Sequence, residues 1–302
     1  RRFLSTKRHV SPQVTLLYSG HALVVEPSTD RVFNLLAPAL TYQKSEYDAS
    51  KRHGGSPYTF TDVECFTLDF RKRLSTCFGY LERITAVLEE NGYEVLVREV
   101  VPRRPSPPHP EAFVPRFDLL AEFAKLRYRQ GELLVRLASN RNGQFNAPPG
   151  FGKSKTVLFV CTMFPRARIL VTADPVAVVK DVLYTELACG LPDVGIVGGG
   201  KRILGRRVMC ATFDSLHHID SNWPDIVLID ECHQAASDGA SSRLVRFNYA
   251  RMYGLSATTE MRADGSDLVT EGIGGPVRFF MSYQEGLEHG LVGQIEVHWH
   301  SV

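Results

Sequence analysis

The 302-residue chain contains no apolar run approaching the roughly 18–20 residues that a bilayer-crossing helix needs. Its basic opening, RRFLSTKRHV, leads into no signal-peptide core, so no membrane partner is expected. The opening residue is Arg, not Met, which reads as a trimmed or processed start. Cysteine is sparse and scattered: Cys65, Cys77, Cys161, Cys189, Cys210 and Cys232 form no CxxC pair. That spacing argues against a zinc site or a disulfide frame and for reduced thiols in a cytoplasmic compartment. An excess of one charge is also lacking. With 35 Lys and Arg against 33 Asp and Glu, the formal net charge is +2. The whole-molecule field is therefore weak, and any nucleic-acid contact must come from local basic clusters and backbone donors. No internal repeat at solenoid periods is visible.

What is present is 44% hydrophobic residues, enough for two ordinary cores in a chain of this length. The sharpest break in composition is VPRRPSPPHP, Val101 to Pro110, where closely spaced prolines exclude helix and sheet interiors. It divides the chain into a small α+β module over 1–100, a Pro-rich linker over 101–116 and an α/β unit over 117–302. In the first module, VTLLYSG and HALVVEP read as strands about a Gly20 turn, and Ser28-Thr29-Asp30 caps a helix that Pro38 ends or kinks. YTFTDVECFTLDF and YEVLVREVV have strand composition. Between them, Phe78, Leu81, Ile84, Val87 and Leu88 share one helical face, and Asn91-Gly92 stops the helix. After the linker, ILVTA, DVGIVG, RVMCAT, DIVLID and MYGLSA are short apolar runs set among helical stretches, the signature of a parallel sheet. Ligands of such sheets gather at the carboxyl ends of the strands.

Two motifs fall at such ends. In NAPPGFGKSKT, Asn146 to Thr156, Gly150 and Gly152 let the backbone curl its N–H groups toward one anion, and the helix that follows presents its N-terminus to it. Pro149, Gly150, Phe151, Gly152, Lys153, Ser154 and Lys155 are the phosphate-binding candidates. Lys153 neutralises the β- and γ-phosphates of ATP, and the Ser154 hydroxyl ligates Mg²⁺. In VLIDECHQ, Val227 to Gln234, Asp230 holds the metal and Glu231 activates the attacking water. Cys232 and His233 have no partner pair at zinc spacing, and His217-His218 reads as loop. Ser256 and Thr258, in GLSATTE, place small hydroxyls beside the carboxylates, where they can bond Glu231 or His233 and report the nucleotide state.

The ordered set APPGFGKS, ATFDSL, DECH and LSATT resembles the first RecA-like motor domain of superfamily 2 helicases of the DExH type. From LSATTEMRADG onward the chain is similar to XPB-like helicases and to the UvsW-like phage recombination helicase. Where XPB-like proteins carry Arg-Glu-Asp, this chain has Arg262-Ala263-Asp264 and so lacks the central carboxylate. The likeness runs from about residue 117 to the end. The first module resembles the phage protein's leading domain only in layout. The resemblance implies that Gln130, helped by Arg127, reads adenine. It also implies that Thr172, Gly199, Lys201, Thr212 and Ser215 lie on segments touching a nucleic-acid backbone, DNA being favoured over RNA. Hydroxyls and open N–H groups suit phosphates without reading bases.

Lys51-Arg52-His53 and Arg71-Lys72-Arg73 lie near Tyr58, Phe60, Phe66 and Phe70. A phosphate-tracking groove with stacking rings has this composition, and so does a solvated basic edge. Motors of this family have a second RecA-like domain that supplies arginines at the site. No QxxRxxR pattern occurs here, so the chain is expected to be the N-terminal half of an ATP-dependent translocase, with that second domain as its partner. An RNA helicase half and a non-catalytic ATP- and nucleic-acid-binding scaffold are the alternative readings.

Overall fold

Gly20, at φ 62°, closes the first hairpin, between β1 (Gln13–Ser19) and β2 (Ala22–Glu26). Only glycine adopts that backbone region without strain. The computed structural model describes residues 11–47, 58–100, 108–123, 126–257 and 265–293. The chain forms two compact units, residues 1–102 and 103–302.

In the first unit, α1 (Asp30–Ala39) starts at Thr29, whose hydroxyl accepts from the Val32 N–H at 3.3 Å. Pro38 sits in the last turn, and the helix ends one residue later. A two-stranded antiparallel ribbon, β3 (Thr41–Tyr47) with β4 (Tyr58–Glu64), follows. Then come β5 (Phe66–Leu68), β6 (Leu74–Cys77), α2 (Leu81–Glu90) and β7 (Glu94–Glu99). The five-stranded sheet has the order β5-β6-β2-β1-β7, with β7 parallel to β1 and the other pairs antiparallel. Period-2 alternation buries Val14 and Leu16 of β1 and Leu23 and Val25 of β2, while Ile84 and Leu88 give α2 its buried stripe. Lys51-Arg52-His53 lies outside the described residues.

The second unit contains α3 (Gln130–Ser139), β8 (Gly143–Asn146), α4 (Lys153–Met163), β9 (Ile169–Ala173), α5 (Thr185–Gly190), β10 (Val194–Gly198), β11 (Lys201–Ile203) and β12 (Val208–Thr212). It continues with β13 (Ile226–Asp230), α6 (Asp238–Leu244), β14 (Arg251–Ser256), α7 (Asp267–Gly274), β15 (Val277–Phe280) and α8 (Tyr283–Glu288). The eight strands lie in the order β11-β10-β12-β9-β13-β14-β8-β15, and every pairing is parallel except β10 with β11. In β13, Ile226 and Leu228 enter one core cluster while Val227 and Ile229 enter the other. Both faces of the sheet are thus covered, which is why these strands read as unbroken apolar runs. From β8 the chain passes through α4 to β9, skipping β13 and β14, so the loops after β8 and β13 share one edge of the sheet.

The packed part of this unit begins before residue 117. Ala112 is fully buried in its core, Phe113 packs against that core, and Arg116 donates its N–H to the Met163 carbonyl at 2.8 Å. Part of the expected Pro-rich connector, 108–116, thus packs with the second unit. Apolar burial outweighs the stiffness that the prolines suggest. No helix among the described residues is long and apolar enough to cross a membrane.

Candidate active site

β8 delivers the chain to Ala147, and α4 starts at Lys153, so Lys153 and Ser154 occupy the first helical turn. Gly150 and Gly152 take φ 81° and 91°, the left-handed region. At Gly150 there is also no room for a side chain, since a Cβ would come within 2.0 Å of the Leu291 carbonyl oxygen. The loop is tied down from 127–130. Arg127 donates to the Gly150 carbonyl, and Gln130 Nε2 donates to the Phe151 carbonyl at 2.9 Å. Gln130 Oε1 accepts from the Arg127 N–H at 2.7 Å. Gln130 is only 2% exposed, with both ends of its amide engaged inside the chain, so it can read a base only by exchanging those bonds. Phe151 is wholly buried, 5.9 Å from the Phe279 ring. Its side chain is therefore core, and only its backbone faces the loop.

Arg129, the next tie, takes φ 59° at the start of α3. It bonds Glu132 and Glu285, and its guanidinium lies 4.7 Å from the Phe279 ring centroid. Tyr128 stacks on His289 at 3.6 Å. Four consecutive residues thus grip the phosphate loop on one side and the segment around α8 on the other.

Asp230 ends β13 and is 6% exposed. Its Oδ1 is buried without a hydrogen-bond partner. Burial, and next the neighbouring Glu231, push its carboxyl up to about 6, against the pull of Lys153. A buried acceptor oxygen lacking a donor, beside a helix start bearing Ser154, fits a hard divalent cation. Glu231 follows at φ 50°, a region that non-glycine residues adopt at a cost when the surroundings enforce it. That turn aims its carboxylate at both neighbours. Oε1 lies 3.8 Å from Lys153 Nζ, and Oε2 lies 3.4 Å from His233 Nδ1. Ser256, fully buried at the end of β14, completes the group. Its Oγ is 3.0 Å from His233 Nδ1 and donates to Glu231 Oε2 at 3.5 Å. The Ser256 carbonyl also accepts from the Ala147 N–H at 3.0 Å, joining this cluster to the phosphate loop. Thr258 and Arg262-Ala263-Asp264 lie outside the described residues. Cys232 packs over Gly254, where a Cβ would meet its Sγ at 2.8 Å, and burial keeps its thiol protonated. His217 bonds the Asp214 carbonyl within its own turn.

A cavity of about 430 Å³ opens beside the loop, lined by Arg127, Gln130, Lys155, Leu158, Phe159 and Glu186 among others. Lys155 is exposed and ion-paired with Glu186 of α5. The sequence offers no local signal for Leu158, Phe159 or Glu186 as lining, because they look like ordinary helix residues until α4 and α5 pack together.

The segments expected to touch nucleic acid converge at the ends of three adjacent strands, β10, β12 and β9. Their side chains divide. Gly199 and Gly200, at φ 57° and 78°, form the tight turn between β10 and β11, and Gly199 and Lys201 are exposed. Ser215 is half-buried and accepts from the Thr212 hydroxyl at 2.8 Å. Thr172 is 0% exposed and Thr212 is buried, so neither hydroxyl is presented to a phosphate here. Both threonines lie at the ends of strands in a sheet covered on both faces.

Residues 123–261 match the model of the family described as Type III restriction enzyme, res subunit. The chain is 27% identical over 175 residues to the DNA 3′-5′ translocase XPB2 of Sulfurisphaera tokodaii, an alignment covering 56% of this chain and 38% of the relative. In fold it is similar to the crystal structure of the UvsW helicase from bacteriophage T4, with TM-score 0.66 and 14% identity over 89% of this chain and all of that one. A second T4 UvsW structure matches with TM-score 0.66 and 16% identity, over 89% of this chain and 57% of that one. The second unit is related to the first motor domain of superfamily 2 helicases. Its parallel sheet is the RecA-like sheet of that class. The chain spans 38% of the XPB2 relative's length.

Proposed function

We propose that residues 103–302 form the nucleotide-hydrolysing half of an ATP-driven motor that moves on or remodels DNA. The observation that carries this reading is the continuous set Lys153, Glu231, His233 and Ser256, which joins the phosphate loop to the ends of β13 and β14. Lys153 neutralises phosphate charge, and Gly150 and Gly152 open the backbone toward it. Ser154 and Asp230 hold Mg²⁺, which supplies a counter-charge for the phosphates when bound. Glu231, held by Lys153 on one oxygen and by Ser256 and His233 on the other, takes the proton of the attacking water. Arg127, Gln130 and Lys155 border the cavity beside the loop, which in this reading takes the base.

His233 and Ser256 pass the state of Glu231 across β9 toward β12 and β10, near whose ends Gly199, Lys201 and Ser215 meet the nucleic-acid backbone and Thr172 and Thr212 support them from within. DNA is favoured because the XPB2 relative is named as a DNA translocase. The second motor domain of such an enzyme supplies the arginines that stabilise the transferring phosphoryl group, a contribution of ~10³–10⁵ in rate for arginine fingers. The six free thiols suit a reducing, cytosol-like compartment. The test is ATP hydrolysis by this chain, alone and joined to a second motor domain, with single-stranded DNA, duplex DNA and RNA. Slow hydrolysis alone and DNA-stimulated hydrolysis when joined are expected. Strong stimulation by RNA only would overturn the choice of DNA, and no binding of ATP would overturn the motor itself.

A further inference from the structure

The cluster Arg71-Lys72-Arg73 divides in two once the first unit is folded. Arg73 turns back, with its Nε donating to Asp69 Oδ2 at 2.8 Å and its guanidinium pairing with Glu26. The Asp69 carboxylate also accepts the N–H groups of Arg71 at 2.8 Å and Arg73 at 2.9 Å. Main-chain bonds from Asp69 N to Arg73 O and from Lys72 N to Asp69 O close the turn, and Lys72 takes φ 57° to complete it. The turn between β5 and β6 is therefore braced at its base by a half-buried ion pair and an aspartate cap.

The tip carries Phe70, Arg71 and Lys72 into solvent. Phe70 is 88% exposed, the most exposed large apolar side chain among the described residues. The Arg71 guanidinium lies 5.2 Å from its ring centroid, within cation–π range, and Arg71 and Lys72 are both exposed. Phe66, by contrast, is buried edge-on against Phe33 at 5.7 Å and is a core residue. An exposed ring on a braced turn, with the Arg71 cation against it and Lys72 exposed two residues on, has a natural complement, an unpaired base flanked by phosphates. An acidic peptide would satisfy the cations and leave the ring in water. A lipid surface requires more than a single apolar anchor for stable binding.

We propose that the β5–β6 turn is a single-strand contact, with Phe70 stacking on an unpaired base and Arg71 and Lys72 neutralising the phosphates beside it. This rests on the reading of the chain as part of a nucleic-acid motor. Phe70 makes no contribution to the core, so its replacement leaves the fold intact.

The test measures binding of a short labelled oligothymidine and of a blunt duplex of equal length by the whole chain, with ATP affinity measured on the same samples. Phe70→Ala is expected to weaken single-strand binding by about 5- to 150-fold, the range for loss of one stacked base, and to leave duplex binding unchanged. Phe70→Trp is expected to bind as well as the parent. Replacing Arg71 and Lys72 together by Ala is expected to lower the slope of log affinity against log salt by about 1.4, two phosphates' worth on a single strand. Single-strand affinity of Phe70→Ala within about twofold of the parent, or an equal loss on duplex, overturns the proposal. If ATP still binds in that case, the turn alone has been misread. If the parent chain binds no ATP, it is the motor reading that fails.

Discussion

Gln130 Nε2 donates to the carbonyl of Phe151 at 2.9 Å, tying the start of α3 to the middle of the phosphate loop. The residue that the resemblance assigns to adenine is thus also a brace of the loop that meets the phosphates. Gln130→Ala is expected to weaken binding of inorganic tripolyphosphate, which has no base, along with that of ATP. It should also lower the melting temperature without any nucleotide, since the buried Phe151 carbonyl loses its partner and the part-buried Arg127 N–H loses its own. Such losses cost about 1–3 kcal/mol each when uncompensated, and each kcal/mol is worth about 2–4 °C in a domain of this size. Calorimetry that finds ATP weakened but tripolyphosphate and melting unchanged would return Gln130 to base recognition alone.

Lys153→Ala is expected to reduce ATP affinity by about tenfold or more, the worth of a charge-assisted bond to phosphate. Its pairing with Glu231 across 3.8 Å is part-buried and long, so the fold should tolerate its removal. Equal affinity in folded parent and variant, measured by titration calorimetry, would remove the loop from the nucleotide site.

Asp230 makes stability depend on pH in a definite direction. An unfolded Asp titrates at about 3.9, whereas folded Asp230 is pushed up to about 6 by burial and by Glu231. Below about pH 4 the group is protonated in both states and contributes nothing. As pH rises to about 6 the unfolded state ionises first, so stability is lost, on the order of 3 kcal/mol in all, and the loss is complete above it. Asp230→Asn is expected to abolish that decline and to melt higher than the parent at pH 7 without Mg²⁺. Parallel melting curves for parent and variant between pH 4 and 7 would show that the carboxyl is not held as described.

Much of the second unit was legible because five of its eight strands, in ILVTA, DVGIVG, RVMCAT, DIVLID and MYGLSA, are nearly continuous apolar runs, as expected of strands covered on both faces. The same property hid the fate of Thr172. In a strand buried on both sides, alternation carries no information about which hydroxyl reaches solvent. β8 left no trace, since Gly143-Gln144-Phe145-Asn146 is short and half polar. It survives in the interior because Gln144 Nε2 finds the Gly275 carbonyl at 2.9 Å. The Glu231–His233–Ser256 grouping was partly readable, as two strand ends expected side by side. The cavity wall from α5 was not, because nothing local links Glu186 to Lys155 across 30 residues of chain.

Contacts of the Ser256 hydroxyl, 3.0 Å to His233 Nδ1 and 3.5 Å to Glu231 Oε2, separate coupling from chemistry. In a protein carrying both motor domains, Glu231→Gln is expected to keep ATP binding and slow hydrolysis by ~10²–10⁴, with and without DNA, because the base itself is gone. Ser256→Ala leaves the carboxylate and its Lys153 contact in place. Basal hydrolysis is therefore expected to stay within a few-fold, while stimulation by DNA falls about 5- to 150-fold, the usual size of a coupling between two sites. Ser256→Thr, which restores a hydroxyl at the same carbon, should recover part of that stimulation. Steady-state rates across a DNA titration read all three. If Ser256→Ala slowed basal and stimulated hydrolysis equally, Ser256 would be a support for Glu231 and not a relay, and the path from nucleotide to nucleic acid would have to leave the site elsewhere.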